Sequence, residues 1–167
     1  MSGEKIWLFD TTLRDGGQTR GVDFSRADKL AIAHALDDIG IDYVEGGWPG
    51  ANPTDDAFFA NPPPLKKAKL FAFGMTRRGG RSTANDPGLN AVIDAEVDGA
   101  CLVGKTWDFH VKTALNTTLE ENLEMIRGSL AAAKQRGREP MFDGEHFFDG
   151  YKNNPEFALD RVRAAHA

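Results

Sequence analysis

The chain has 167 residues, with 20 Lys and Arg against 25 Asp and Glu, a net charge of −5, and 41% hydrophobic content. That size suits one domain, that composition suits a folded protein, and without a concentrated basic stretch the chain is not expected to bind nucleic acid. No apolar run approaches the roughly 18 residues of a membrane span, so no membrane association is expected. The start, Met1 to Asp10, lacks the apolar run of a signal peptide, so a cytoplasmic location is expected. Cys101 is the only cysteine, which excludes an intrachain disulfide or a thiolate zinc cluster. A metal held by this chain must take oxygen or imidazole ligands.

Short apolar runs alternate with longer helical patterns, the signature of βα units around a parallel sheet, so the fold class is α/β. Ile6 to Phe9 reads as a first strand leading into a loop at Gly16 and Gly17. Ser25 with Asp28 marks a helix start, Ile32, Leu36 and Ile39 recur at helical spacing, and Gly40 stops the helix. Asp42 to Glu45 is a second strand ending in Gly46 and Gly47. A short helical piece is expected near Ala57 to Ala60, closed by Pro62, Pro63 and Pro64. Lys69 to Phe73 reads as the third strand, Asn85 to Val97 as a helix with Pro87 in its first turn, and Gly99 to Val103 as the fourth strand. Thr118 and Glu121 read as a capping box ahead of the stripe Leu119, Leu123, Ile126, Leu130 and Ala133, and Gly137 closes that helix. Glu139 to Phe142 is the fifth strand, followed by a loop through Asp149 and Gly150 and a last helix from about Pro155. Periodicity does not separate a complete five-stranded sheet from the first five units of a closed eight-stranded barrel, which typically needs about 250 residues.

Chemistry-bearing residues cluster just after the expected strands, where α/β enzymes place their sites. After the first strand, Asp15 offers a carboxylate to a divalent cation and Arg14 offers a planar fork to a carboxylate or a developing oxyanion. Read alone, Arg-Asp-Gly also fits an exposed ion pair at a glycine turn.

The longer run from Phe9 to Gly17 resembles the amino-terminal signature of the pyruvate-carboxylase-like TIM-barrel metalloenzymes. That group holds the isopropylmalate, homocitrate and citramalate synthases and hydroxymethylglutaryl-CoA lyase. Val44 to Gly50, Gly104 to Val111 and Phe142 to Lys152 carry the same resemblance across the chain and point to the citramalate synthase branch. The resemblance implies a single partial TIM (β/α)8 catalytic domain over residues 1–167, the first five or so βα units. It implies a metal-dependent acyltransferase that joins acetyl-CoA to an α-keto acid, with pyruvate giving citramalate for isoleucine synthesis. The implied cofactor is magnesium, manganese or zinc, and a homodimer is expected. Carried over residue by residue, Asp15 is the metal ligand, Arg14 binds the keto-acid oxygens and steadies negative charge, and Gln18 lies at the substrate end. Glu45 and Glu145 are carboxylates at strand ends facing the metal or the reacting groups. Glu45 read by itself equally suits a carboxylate buried against an arginine.

The family completes its metal site with a His-x-His pair after the seventh strand. Here the histidines are His34, His110, His146 and His166, and no two are separated by a single residue. The metal site is therefore expected to be incomplete, the general base unassigned and the isolated chain inactive. His34 and His166 read as surface positions, while His110 and His146 read as loop residues able to approach the pocket, His110 as a substrate contact. Thr76 after the third strand and Lys105 after the fourth are further expected substrate contacts, beside Gly74, Met75 and Gly104. Arg77, Arg78 and Arg81 form a basic patch that suits either a solvated loop or the phosphates of coenzyme A. Trp48 and Trp107 read as packing, and Cys101 as inert core. Other readings of the same chain are another synthase or an acyl-CoA lyase of the group, or a half-barrel without catalysis that acts by association through an open sheet edge.

Overall fold

The computed structural model describes residues 5–166. Its strands are β1 (Phe9–Asp10), β2 (Tyr43–Glu45), β3 (Lys69–Met75), β4 (Gly99–Lys105) and β5 (Glu139–Glu145). Its helices are α1 (Arg26–Ile39), α2 (Pro53–Phe59), α3 (Pro87–Ile93), α4 (Asp108–Thr113), α5 (Leu119–Gln135), α6 (Phe147–Asn153) and α7 (Pro155–His166). All strand pairs are parallel and the order is β1-β2-β3-β4-β5. A strictly consecutive order belongs to a barrel wall, since doubly wound sheets reverse direction at a switch point.

Alternation along the strands separates two cores. Val44, Leu70, Ala72, Ala100 and Leu102 pack outward against Ala33, Leu89, Val92, Ile93, Ile126, Leu130 and Ala133 of the helices. Phe71, Phe73, Cys101 and Val103 face the other way, together with Phe9, Tyr43, Met75 and Met141, and no helix residue joins them. The helices thus cover one face only, and the second face is the interior of a curled half-barrel.

Several local expectations are met and others are corrected. Ser25 and Asp28 form a complete capping box, with Asp28 N donating to Ser25 Oγ at 3.2 Å and Ser25 N to Asp28 Oδ2 at 2.9 Å. At Thr118 only half of the box forms: Glu121 N donates to Thr118 Oγ1 at 3.1 Å, while the Glu121 carboxylate turns to Arg77 and to Gly80 N. The first strand is shorter than Ile6 to Phe9. Only Phe9 and Asp10 find ladder partners, in Tyr43 and Val44, and Ile6, Trp7 and Leu8 stay 80%, 56% and 51% exposed. The helix expected at Asn85 to Val97 narrows to α3: Asp86 caps its start by accepting from Leu89 N at 2.9 Å, and Asp94 caps its end. The short helix moves earlier, to α2, where Asn52 caps and Pro53 takes the first position. The span through Asp149 and Gly150 is helical rather than a loop, and α4 is a helix that sequence signals missed. Neither α4 nor α6 has a side-chain cap to announce it.

One buried carboxylate ties the first helix to the third strand. Asp37 is 2% exposed and accepts from the backbone N–H groups of Lys66, Lys67 and Ala68 at 2.8, 2.8 and 2.7 Å. These bonds, from Ala68 above all, hold its pKa below the usual carboxylate value. We expect Asp37→Ala to lower stability by about 2 kcal/mol in urea unfolding at pH 7, because three buried donors lose their acceptor. A depressed acid stabilises the fold above its unfolded pKa of roughly 3.9 and loses that effect as pH falls through its lower folded value. The difference between wild type and variant should therefore shrink below about pH 4.

Candidate functional site

The carboxyl ends of the strands carry the polar residues, and they do so by continuing the inward alternation past the apolar rows. Each of β3, β4 and β5 runs two or three residues beyond its expected end, to Met75, Lys105 and Glu145. On β5 this places Asp143 and Glu145 on the interior face, paired in register with Val103 and Lys105. Glu45 ends β2 in register with Phe71.

Arg14 and Asp15 sit in the turn after β1, fixed by the N–H groups of Arg14, Asp15 and Gly16 donating to Thr11 O at 3.1, 2.8 and 3.1 Å. The Arg14 side chain lies over the Phe73 ring, 4.1 Å from its centroid. Its Nε donates to Glu45 Oε2 at 2.7 Å and its NH1 to Asp15 Oδ1 at 3.0 Å. Glu45 is 1% exposed, so it is a carboxylate buried against an arginine, and its contact is with Arg14 itself. Burial pushes its pKa up, opposed by the Arg14 guanidinium. Asp15 is the exposed member, its side chain 62% accessible.

A clamp below this group keeps Glu45 in place. Lys29, 3% exposed, bonds Gly46 O at 2.9 Å and pairs with Asp55, which also accepts from Trp48 N at 2.9 Å. The intervening Gly47 has φ +140, and a Cβ there would meet the Asp55 carboxylate. Trp48 packs edge-to-face on Phe73 at 5.5 Å, as its packing assignment expects.

Across the mouth, Glu145 pairs with Lys105, so each of these two expected site residues is the other's partner. Thr106 anchors the strand end, its Oγ1 donating to Glu145 O at 2.7 Å. Asp143 was not anticipated. It sits in the fields of Arg14, Asp15, Glu145 and Lys105, and burial raises its pKa. Its signal was the two-residue spacing to Glu145, legible only once the strand extends to Glu145. Cys101 lies on the same face and is buried, and burial, helped by the Glu45 carboxylate, pushes its thiol pKa far up, consistent with an unreactive core thiol.

The remaining expected residues lie around this centre. Gln18 is exposed and lines a cavity of about 210 Å³ with Leu13, Arg14, Phe24 and Trp48. Thr76 is buried beside a separate cleft with Met75 and Arg77. His110 is in α4 rather than a loop. Its ring packs at a tilt against Trp107, with centroids 4.7 Å apart, and meets the His146 ring edge at 4.7 Å, while His146 Nδ1 lies 3.2 Å from Asp149 Oδ2. The two histidines therefore contact each other and Trp107. Arg77 is taken by Glu121 at 2.6 Å.

Among the described residues no group of three or more His, Cys, Asp and Glu is arranged to hold a metal ion. Asp15 is a single hard oxygen donor that fits magnesium or manganese as one ligand, with the rest of a coordination shell to come from elsewhere.

A family model described as HMGL-like matches residues 5–166. The chain is 53% identical over 164 residues to an (R)-citramalate synthase of Aquifex aeolicus, covering 97% of this chain and 31% of that protein. The chain thus spans about a third of the length of that curated relative. Among solved structures it resembles the HMG-CoA lyase of Bacillus subtilis, with TM-score 0.73 and 17% identity over 97% of this chain and 54% of the other. It also resembles an HMG-CoA lyase of Acinetobacter baumannii in complex with coenzyme A and 3-methylmalate, with TM-score 0.64 and 14% identity over 95% of this chain and 53% of the other. At these identities the two structures speak for the fold: the five strands match part of a TIM barrel.

Proposed function

The chain belongs to the HMGL-like family, and on that premise we propose that it is the amino-terminal part of the catalytic barrel of an acyltransferase that condenses acetyl-CoA with pyruvate to give citramalate. The observation that carries this reading is the Arg14, Asp15 and Glu45 group: a guanidinium oriented by a buried carboxylate beside an exposed one at a barrel mouth. The likeness to citramalate synthases over nearly the whole chain supports the choice of acceptor, and the synthases of larger keto acids and the lyases remain the comparison set.

Arg14 binds the keto-acid carboxylate and carbonyl oxygens: Glu45 fixes Nε of its fork, and NH2 is left for a ligand beside NH1, which reaches the exposed Asp15. Asp15 would hold a divalent cation, which when bound would supply polarisation of the keto carbonyl. A base draws a proton from the acetyl methyl of the thioester, and the resulting carbanion forms a carbon–carbon bond to the keto carbon. The oxygen that gains the charge is stabilised by Arg14 and then protonated, and water hydrolyses the thioester to release free coenzyme A. Glu145, at the opposite side of the mouth and paired with Lys105, is the carboxylate suited to proton transfer. Gln18 borders the same mouth as a substrate contact, and Thr76 and His110 flank it.

The test is thiol release from acetyl-CoA with pyruvate, 2-oxoisovalerate or 2-oxoglutarate, in a protein that joins this chain to a complete barrel. Pyruvate-dependent release is expected to exceed that with either larger acid. A preference for a larger acid would move the chain to another synthase.

The two sheet edges, β1 and β5, have no further strand beside them among the described residues. With Ile6, Trp7 and Leu8 exposed next to β1, self-association into a homodimer is the expected state in solution. Light scattering at twice the chain mass would support it, and a monomer at high concentration would overturn it. A cytoplasmic location goes with the proposed activity, and among the described residues no helix is long and apolar enough to cross a membrane.

A further inference from the structure

Local structure does not account for the residue that follows Glu145. His146 stands at the start of α6, yet its side chain makes no capping hydrogen bond there, and its backbone is left-handed, with φ 55 and ψ 33. Serine, aspartate or asparagine would serve that start better, and glycine or asparagine would adopt that conformation at less cost. What surrounds His146 instead orients its ring. Nδ1 lies 3.2 Å from Asp149 Oδ2, the His110 ring stands perpendicular with centroids 4.7 Å apart, and the Trp107 ring lies 6.2 Å away. The pair with Asp149 is exposed on both sides, so it adds little to the stability of the fold.

What the pair does fix is a proton. A carboxylate at Nδ1 keeps the hydrogen on that nitrogen, so the neutral ring carries its lone pair at Nε2. A base oriented in this way by a third group is the arrangement that activates a nucleophile. Because the His146 side chain is 48% accessible, the nucleophile that can reach it is water. Its place is the rim of the mouth: Glu145 O, one residue earlier, accepts from Thr106 Oγ1 at 2.7 Å, which fixes the junction of β5 with α6 beside the Glu145 and Lys105 pair. In the same cluster Trp107 Nε1 is buried without an acceptor among the described residues, a donor that an incoming oxygen would satisfy.

The acyltransferase reaction removes two protons, one from carbon and one from water, and Glu145 serves the first. We propose that His146, oriented by Asp149, serves the second, as the base for the water that hydrolyses the condensed thioester. This rests on the acyltransferase reading above and deepens it by giving its two half-reactions separate bases. The water proton passes to His146 Nε2 while the water oxygen bonds to the thioester carbonyl carbon. As the carbon–sulfur bond breaks, the sulfur leaves with the proton from Nε2, and the carboxylic acid formed releases its own proton to solvent. Water is the only further reactant.

The test uses the protein that joins this chain to a complete barrel, with acetyl-CoA and pyruvate, and follows the condensed thioester by mass spectrometry alongside thiol release. The parent is expected to release thiol as fast as it forms the carbon–carbon bond. His146→Gly, which suits the left-handed backbone, should accumulate the condensed thioester and release thiol about 10²-fold more slowly. Imidazole in the medium should restore release, which a purely structural role for His146 would not allow. Asp149→Asn should give the same accumulation in weaker form. His146→Asn, which also tolerates that backbone, should accumulate the thioester as well and serves where the glycine variant does not fold. Parental thiol release in the His146 variants, release that imidazole leaves slow in His146→Gly, or loss of carbon–carbon bond formation together with hydrolysis in a folded variant overturns the assignment. A parent that forms no condensed product with pyruvate, 2-oxoisovalerate or 2-oxoglutarate overturns the acyltransferase reading first, and the role of His146 with it.

Discussion

Arg14→Ala is expected to cut turnover in the condensation assay by about 10²–10³, or roughly 2.7–4 kcal/mol of transition-state stabilisation, the effect of deleting a donor aimed at developing oxyanion charge. The size follows from how completely Arg14 is prepared for that charge. Its Nε is locked to Glu45 at 2.7 Å, its plane rests 4.1 Å from the Phe73 centroid, and its side chain is only 16% exposed, so little reorganisation is left for the moment of reaction. Arg14→Lys should recover little, because an ammonium cannot hold Glu45 and a bidentate ligand at once. The variant carries a second signature. Glu45 would keep its burial and lose its cation, and its pKa is already raised by that burial. A raised acid makes the folded state bind the extra proton, so stability falls as pH rises through the interval between the unfolded and folded values. Arg14→Ala should thus lose more stability than the parent does as pH rises above the ordinary carboxylate value. Unchanged turnover with intact folding would remove Arg14 from the chemistry, and a flat pH difference would remove the Glu45 pairing from its support.

The βα alternation was legible because it rests on long-range features of the chain: four apolar runs that become β2 to β5, and helical stripes such as Ile126, Leu130 and Ala133. Strand ends were not. Apolar periodicity stops at Phe73, Val103 and Phe142, whereas the ladder continues through Met75, Lys105 and Glu145, since main-chain pairing does not require an apolar side chain. The lost residues are those that a barrel turns toward its site, which is why Asp143 escaped notice while Glu145, carried by resemblance, did not. Arg14, Asp15 and Glu45 were named from two separate segments, and the structure adds their order: Glu45 holds Arg14, and Arg14 touches Asp15. The helices α4 and α6 escaped for a different reason. They start at Trp107 and at His146 in a left-handed conformation, neither with a capping side chain. Both are held by tertiary contact, with α4 packing Val111 into the core and α6 lying against the end of β4 through Gly150.

That last contact gives the second large effect. A methyl group at Gly150 would fall 2.9 Å from the Thr106 carbonyl carbon, 3.0 Å from Trp107 Cα, and closer still to the Thr106 carbonyl oxygen, all of them main-chain atoms. Flexible side chains can yield to such an intrusion, but the backbone of a central strand end cannot, so Gly150→Ala is expected to lower stability by about 3 kcal/mol. Thermal or urea unfolding reads that directly. Helix propensity alone predicts the opposite sign, a gain of up to about 1 kcal/mol from Gly to Ala within a helix. The two arguments therefore disagree on direction, and packing is the stronger because Gly150 is buried at the junction. The damage should also reach the site. Thr106 holds the Glu145 carbonyl through its hydroxyl at 2.7 Å, and Glu145 ends β5 opposite Lys105. Displacing α6 from Thr106 moves the last residue of β5, so turnover should fall beyond what the unfolded fraction explains. A Gly150→Ala protein of parental stability would mean that α6 stands further from β4 than the close approach at Thr106 indicates.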